Sequence, residues 1–301
     1  MVAPIFKDPA QQAIFDKQGF IVVPFLTNEE VLLMNNIFDQ LHPQLPQQGG
    51  FISGSYSNDF DYKKKASDEI TAVFSKHYER LFSNYQTFGA AFLYKLPSQG
   101  SQLGIHQDWT IVDEEQFVAL NCWVPLTDTD ATNGALHVMP GSHYPKHNTL
   151  RAPTLPFFFT GNEEVVVKQT IPFYVKAGTA VILNQSVIHY SPPNTSGAIR
   201  KAITAGIKTK NAPMVFHYKN SENKVERYTM PEDFLIRFEN FATSIFESPK
   251  LGSLLQQNNY EHKVLPKEEL IPLITNLKAE AGFKNQQPSL FNRLLSKFTK
   301  T

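Results

Sequence analysis

The sequence has little of several things that usually betray a function. It holds a single cysteine, Cys122, in 301 residues, so an intrachain disulfide and a cysteine-based zinc site are both excluded. One free thiol suits a reducing compartment, and a cytoplasmic location is the simplest expectation. Charge of either sign is not in excess: 28 basic and 28 acidic residues leave a formal net charge of zero. That balance argues against nucleic acid as a partner, which needs a basic surplus to displace counterions, and against a polybasic membrane surface. No apolar run approaches the length that spans a bilayer, and the first residues carry no signal-like hydrophobic stretch. Tryptophan is scarce at 2 residues, whereas phenylalanine reaches 24 and tyrosine 11. With 42% hydrophobic and 19% charged residues, the chain is globular and long enough to bury a core without cross-links.

The pattern along the chain places helices at both ends and strands between. Residues 9–18 suit a short helix, and 20–26 a β-branched, aromatic strand. Thr27 and Glu30 have capping-box spacing, so a helix is expected from there to about Leu41. Residues 46–62 read as a loop and 67–82 as an amphipathic helix. Short β-type runs then recur at 87–96, 103–111, 117–126, 134–139, 164–175, 179–183, 187–190 and 201–209. Strands punctuated in this way predict an antiparallel sandwich or barrel. Beyond about residue 230, helical spacing returns: Phe234, Leu235, Phe238, Phe241 and Ile245 share one helical face, and Leu270, Leu273, Ile274 and Leu277 another. The tail 289–301 is basic and amphipathic. The economical division is one domain over 1–301, with an N-terminal layer (about 1–86), a β core (about 87–210) and a C-terminal helical extension (about 211–301). A monomer or homodimer is expected.

Chemistry concentrates at His106-Gln-Asp108. In a strand, residues i and i+2 share a face, so an imidazole and a carboxylate there can grip one metal ion. The triplet alone is weak, because roughly 0.3 such triplets are expected by chance at this composition. His77-Tyr-Glu79 has the same spacing in a predicted helix, where the two side chains diverge, and His77 reads as a helix-surface residue. His189 ends the β-type segment 180–189 and supplies a third ligand. Two histidines and one carboxylate on a β scaffold form the facial triad of non-haem Fe(II) oxygenases. Eleven residues on, Arg200 opens the next strand, where a guanidinium suits the far carboxylate of a dicarboxylic acid.

These residues sit in a longer pattern. Trp123-Val-Pro-Leu-Thr-Asp128, Asn133-Gly-Ala-Leu-His-Val-Met-Pro-Gly-Ser-His143 and His189-Tyr-Ser-Pro-Pro-Asn194 follow in order, ahead of Arg200. The opening Gln18-Gly-Phe-Ile-Val-Val-Pro-Phe-Leu-Thr-Asn-Glu-Glu30 also fits. Over about residues 10–210 the chain resembles the phytanoyl-CoA dioxygenase family of Fe(II)/2-oxoglutarate oxygenases. The resemblance implies a mainly β fold with flanking helices, a double-stranded β-helix (jelly-roll, cupin-like) core. It implies His106, Asp108 and His189 as iron ligands. Arg200 and Ser191 would hold the distal carboxylate of 2-oxoglutarate, and Trp123 would line its pocket. It further implies O2-dependent hydroxylation of a C–H bond in a small-molecule substrate, with release of succinate and CO2. Asp108 favours hydroxylation, since related halogenases have a small residue at this position.

Other residues carry weaker suggestions. Lys95, at a strand end, is a candidate for a substrate or cosubstrate carboxylate. Gln107 lies between two metal ligands. The loops 46–62 and 144–163 are long enough to be lids, the second carrying His147, Arg151 and Phe157-Phe-Phe159. Arg151 is a candidate for an anionic substrate group, and Phe157, Phe158 and Phe159 for apolar substrate contacts. His137 and His143 suit structural hydrogen bonds, while His217 and His262 read as surface residues. Lys63-Lys-Lys65 is the one basic cluster and reads as a solvated helix start. Two other functions fit less of the pattern: a cupin-like metalloenzyme that does not use 2-oxoglutarate, and a metal-free jelly-roll binding protein.

Overall fold

The computed structural model describes residues 2–46, 50–143 and 150–283. Helix α1 (Pro9–Gln18) starts where the Asp8 side chain accepts the Ala10 N–H. It stops at Gly19, whose φ of 82° and close approach to His143 and Val187 leave no room for a side chain. Strand β1 (Phe20–Pro24) follows, then α2 (Asn28–Leu41), which opens on the expected reciprocal capping box of Thr27 and Glu30. After β2 (Phe51–Ser53) and a 3-10 turn at Gly54–Tyr56 comes α3 (Phe60–Leu81), capped by Asp59. This helix begins about two turns before the expected start, where the Asp59 side chain accepts the Tyr62 N–H and caps it.

The β region comprises β3 (Tyr85–Lys95), β4 (Leu103–His106), β5 (Ala119–Pro125), β6 (His137–Val138), a short helix α4 (Glu163–Val167), β7 (Ile171–Pro172), β8 (Thr179–Asn184), β9 (His189–Ser191) and β10 (Arg200–Thr209). They form two antiparallel sheets, ordered β1-β8-β5-β10-β3-β2 and β4-β9-β6-β7. Side chains of both pack together, among them Phe20, Val138, Phe173, Val181 and Ala202. This is the double-stranded β-helix. The outer face of the larger sheet packs on α2 and α3 through Phe38, Ile70, Phe74 and Tyr78. That layer absorbs much of the phenylalanine excess. It also buries Cys122, whose thiol burial pushes up to about 12.

Several expectations need correction. The run 164–175 is not one strand. Glu163 and Glu164 favour a helix N-terminus, and Val165 and Val166 are buried on that helix. His77 is not at the surface: it is 8% exposed and its Nε2 lies 3.0 Å from the Glu30 carboxylate. His217 is also buried, with Nδ1 3.2 Å from the Thr110 carbonyl. Lys63 is buried too, donating to the Phe238 carbonyl.

The C-terminal extension is not simply helical. Strands β11 (Val215–Lys219), β12 (Lys224–Thr229) and, after two single-turn helices α5 (Phe234–Arg237) and α6 (Phe241–Ser244), β13 (Ser253–Asn259) form a third antiparallel sheet. The helix expected over 234–245 breaks because Phe238 leaves helical geometry and Asn240 adopts a left-handed conformation at φ 51°. Helix α7 (Lys267–Glu280) ends the described chain. Residues 144–149, with His147, and the tail 289–301 lie outside the described residues.

Candidate metal centre and cavity

His106 closes β4 opposite His189, which opens β9; the two are register partners across the smaller sheet. Asp108 follows just outside β4, fixed by its own N–H donating 3.0 Å to the Gln185 carbonyl. One donor atom from each of the three side chains lies within 4.8 Å of the other two, so the set could hold one metal ion. Both imidazoles are oriented from behind. His106 Nδ1 lies 2.7 Å from the Gly104 carbonyl, and His189 Nδ1 2.9 Å from that of Val187. A carbonyl only accepts, so each Nδ1 carries the proton and each Nε2 presents its lone pair to the centre. Burial and the neighbouring His189 hold His106 down at about 4, which keeps that imidazole neutral and ligand-competent at pH 7. The Asp108 Oδ2 accepts from Asn121 at 3.2 Å, and the Asn121 carbonyl oxygen accepts from the Thr204 hydroxyl. That chain from β10 through β5 fixes the carboxylate and leaves Oδ1 towards both histidines, at 3.8 and 3.9 Å from their Nε2 atoms.

Beside the triad, Arg200 starts β10. It is 2% exposed, lines the same cavity as the triad, and its Nε and Nη1 have no hydrogen-bond partner among the described residues. Burial lowers its pKa only to about 10, so it stays cationic at pH 7. A buried cation with unspent donors needs an anion, and a carboxylate entering from the cavity matches its planar fork. The Trp123 ring lies 5.7 Å from its guanidinium carbon and also lines the cavity, as does buried Ser191. The donor set therefore fits a metal ion with a carboxylate-bearing co-ligand. The cavity measures about 420 Å³. Small residues of the facing strands, Gly89, Ala90, Ala91 and Gly206, leave that space.

The family model described as phytanoyl-CoA dioxygenase (PhyH) matches residues 15–202, more than half of the chain. The chain belongs to the phytanoyl-CoA dioxygenase family. The cofactors of this family are iron and 2-oxoglutarate. No curated protein matches the chain. Among solved structures it is similar to SnoK, a non-heme alpha ketoglutarate dependent carbocyclase from nogalamycin biosynthesis, at 16% identity and a TM-score of 0.50 over 69% of this chain and 86% of that one. It is also similar to the epimerase SnoN in complex with Fe3+, alpha ketoglutarate and nogalamycin RO, at 18% identity and a TM-score of 0.50 over 83% and 97%. At such identity the likeness speaks to the fold.

Within that family frame, the weaker sequence suggestions sort by position. Lys95 is fully buried beside Arg200, and its amine donates to the Ser191 and Pro192 carbonyls instead of lining the cavity. Burial and the Arg200 charge hold it down at about 6, so it is mostly neutral at pH 7 and braces β9. Gln107 does reach the cavity, but its amide N–H donates to the Ser186 carbonyl. Arg151 does not line the cavity. Its guanidinium is 3% exposed, ion-paired with Glu114, and its Nε donates 2.7 Å to the Asp108 carbonyl. It supports Asp108 from behind. Phe157, Phe158 and Phe159 lie away from the cavity as well. Phe158 and Phe159 are buried with Val166, Leu270 and Ile274 beneath α7, Phe157 packs on that cluster, and none lines the cavity.

Sequence reasoning missed Asn121, Thr204 and Gln185, all of which line the cavity. A signal existed for the first two. Asn121 is two residues before Trp123 and Thr204 is four after Arg200, which puts each on the inward strand face. It also missed the cavity wall from the C-terminal extension, Leu235, Ile236, Phe241 and Ile245.

Proposed function

We propose that this protein hydroxylates an unactivated C–H bond of a small metabolite, dependent on Fe(II) and 2-oxoglutarate. The observation that carries this reading is Arg200: a buried guanidinium with two unspent nitrogens on the wall of the cavity that holds the triad. When bound, iron and 2-oxoglutarate supply O2 activation coupled to decarboxylation, with succinate and CO2 released. The chain's residues bind and orient. His106, Asp108 and His189 hold the metal, with ring tautomers set by the Gly104 and Val187 carbonyls. Arg200 pairs with the distal carboxylate of 2-oxoglutarate, with Ser191 beside it and Trp123 flanking it. Asn121 keeps Asp108 from rotating. The apolar cavity walls exclude water, which strengthens each of these electrostatic contacts.

The reading is tested by loading the protein with Fe(II) and 2-oxoglutarate without oxygen, adding a metabolite library, and admitting O2. Substrate-triggered succinate release, with a product heavier by one oxygen, is the expected outcome. Neither 2-oxoglutarate binding nor turnover with any library member would remove the proposal and favour a cupin-like enzyme without this cosubstrate.

A further inference from the structure

Lys63 apart, the cavity carries fixed charge only where the proposed chemistry uses it. Apart from histidines, the charged side chains lining it among the described residues are Lys63, Asp108 and Arg200. Asp108 belongs to the triad and Arg200 to the proposed cosubstrate site. Lys63 is 4% exposed, and its ammonium donates to the Phe238 carbonyl with Glu239 and Asp59 as charged neighbours. Lys63, already bonded to a carbonyl and flanked by two carboxylates, is the one further counter-ion on this lining among the described residues, so a charged substrate buried there would forfeit hydration for little return.

Besides the Arg200 nitrogens, one buried polar atom of this lining has no partner among the described residues. Gln185 is 7% exposed, lines the cavity, and its Oε1 has no hydrogen-bond partner among the described residues. Its main chain is fully engaged, the N–H with the Ala119 carbonyl and the carbonyl with the Asp108 N–H, which anchors it next to the metal triad. A buried amide oxygen without a partner is destabilising, so a donor arriving with a ligand is its natural complement. Another part of the wall is apolar and comes from outside residues 15–202. The Phe241 ring stacks on Tyr56 at 4.5 Å and 25° and on Trp109 at 5.6 Å and 13°. Leu235, Ile236 and Ile245 continue that surface.

We propose that the substrate is an uncharged, mostly apolar small molecule bearing a hydroxyl or N–H donor, with that donor on the Gln185 amide and its apolar body against the Tyr56–Phe241–Trp109 stack. This rests on the proposed function and names the substrate class for it. Molecules whose ionic groups must enter the cavity, phosphates included, are disfavoured.

The test measures binding in solution, by calorimetry, on protein loaded with Fe(II) and 2-oxoglutarate with oxygen excluded. The probes share one cage: 1-adamantanol, 1-methoxyadamantane, 1-adamantanecarboxylate and 1-adamantylammonium. Binding of 2-oxoglutarate is titrated separately, so failure of the proposed function is seen independently of the probes. 1-Adamantanol should bind at least about tenfold more tightly than either charged probe and about tenfold more tightly than the methyl ether, which cannot donate. Gln185→Leu should erase the advantage over the ether. Phe241→Ala should weaken alcohol and ether alike and leave 2-oxoglutarate affinity unchanged. Equal or tighter binding of a charged probe, an alcohol advantage that survives Gln185→Leu, or no binding of 1-adamantanol would each overturn the proposal. Thermal melting checks each variant, and if Gln185→Leu does not fold, the charge series and Phe241→Ala still decide.

Discussion

The polar floor of the cavity and its C-terminal wall are built by different means. On the floor, His106, Asp108 and His189 sit on or beside short strands, each tied to a nearby backbone carbonyl or amide. The two ring orientations are set by carbonyls two residues away in sequence, and Asp108 is pinned by Gln185, Asn121 and Arg151. The wall is made by Leu235, Ile236, Phe241 and Ile245, from two single-turn helices that rest on a separate three-stranded sheet and on Lys63 of α3. Its shape depends on packing between distant segments. The contrast suggests that the floor sets the reaction and the wall sets the substrate, and that the two can be damaged separately.

The sharpest break is at the floor. His106→Ala or Asp108→Ala should remove a metal ligand and lower coupled activity by well over about a hundredfold, since even residues behind the ligands are commonly worth 10–100-fold. Anaerobic Fe(II) titration with the melting curve as a fold check measures it, and a variant with full activity would dissolve the floor assignment. Next comes Arg200→Met, which removes a charge-assisted pair. The 2-oxoglutarate KM should rise by about 10–100-fold, with substrate KM little changed. Arg200→Lys should recover only part of this, because a point charge lacks the planar fork.

Arg151 sharpens the comparison by contrast with Arg200. Both are buried arginines near the triad, but Arg151 is ion-paired with Glu114 and bonded to the Asp108 carbonyl, whereas Arg200 has unspent donors facing the cavity. Arg151→Met should therefore lower thermal stability and weaken metal affinity by about tenfold, while the 2-oxoglutarate KM, measured at saturating Fe(II), stays near its original value. A selective rise in that KM would place Arg151 in the cosubstrate site instead.

How much of this was legible follows the same division. The jelly-roll strands and the triad spacing are local patterns, with period 2 fixing which residues share a face. Arg200 was legible from its place at a strand start, but that its guanidinium lacks a protein partner was not. Arg151 was misplaced because Glu114 is distant in sequence and no spacing rule links them. Phe157 to Phe159 read as a lid because their covering helix, α7, begins about a hundred residues later. In the extension, β13 is Ser253–Asn259, exposed along its whole length, so it lacks the alternation by which a half-buried strand is recognised. The apparent helix over 234–245 had the right apolar spacing, and nothing in that spacing marks the left-handed Asn240 that breaks it.

The gentlest prediction concerns the joint between the two regions. Lys63 donates to the carbonyl of Phe238, between α5 and α6, and is a direct side-chain tie from α3 to the wall. Lys63→Met keeps the apolar stem against the cavity and removes only the ammonium. The Phe238 carbonyl then loses a charge-assisted partner, a cost of about 1–3 kcal/mol borne by a segment that the Asn58–Asn240 bonds and the Phe241 stack still hold. The expected consequences are local. Amide hydrogen exchange should quicken over 234–245 and stay unchanged over 103–108 and 187–191. Substrate KM should rise severalfold, with 2-oxoglutarate KM and Fe(II) affinity constant. If exchange quickened equally at the triad strands, wall and floor would be one cooperative unit, and the separation of substrate choice from chemistry argued from their construction would fail.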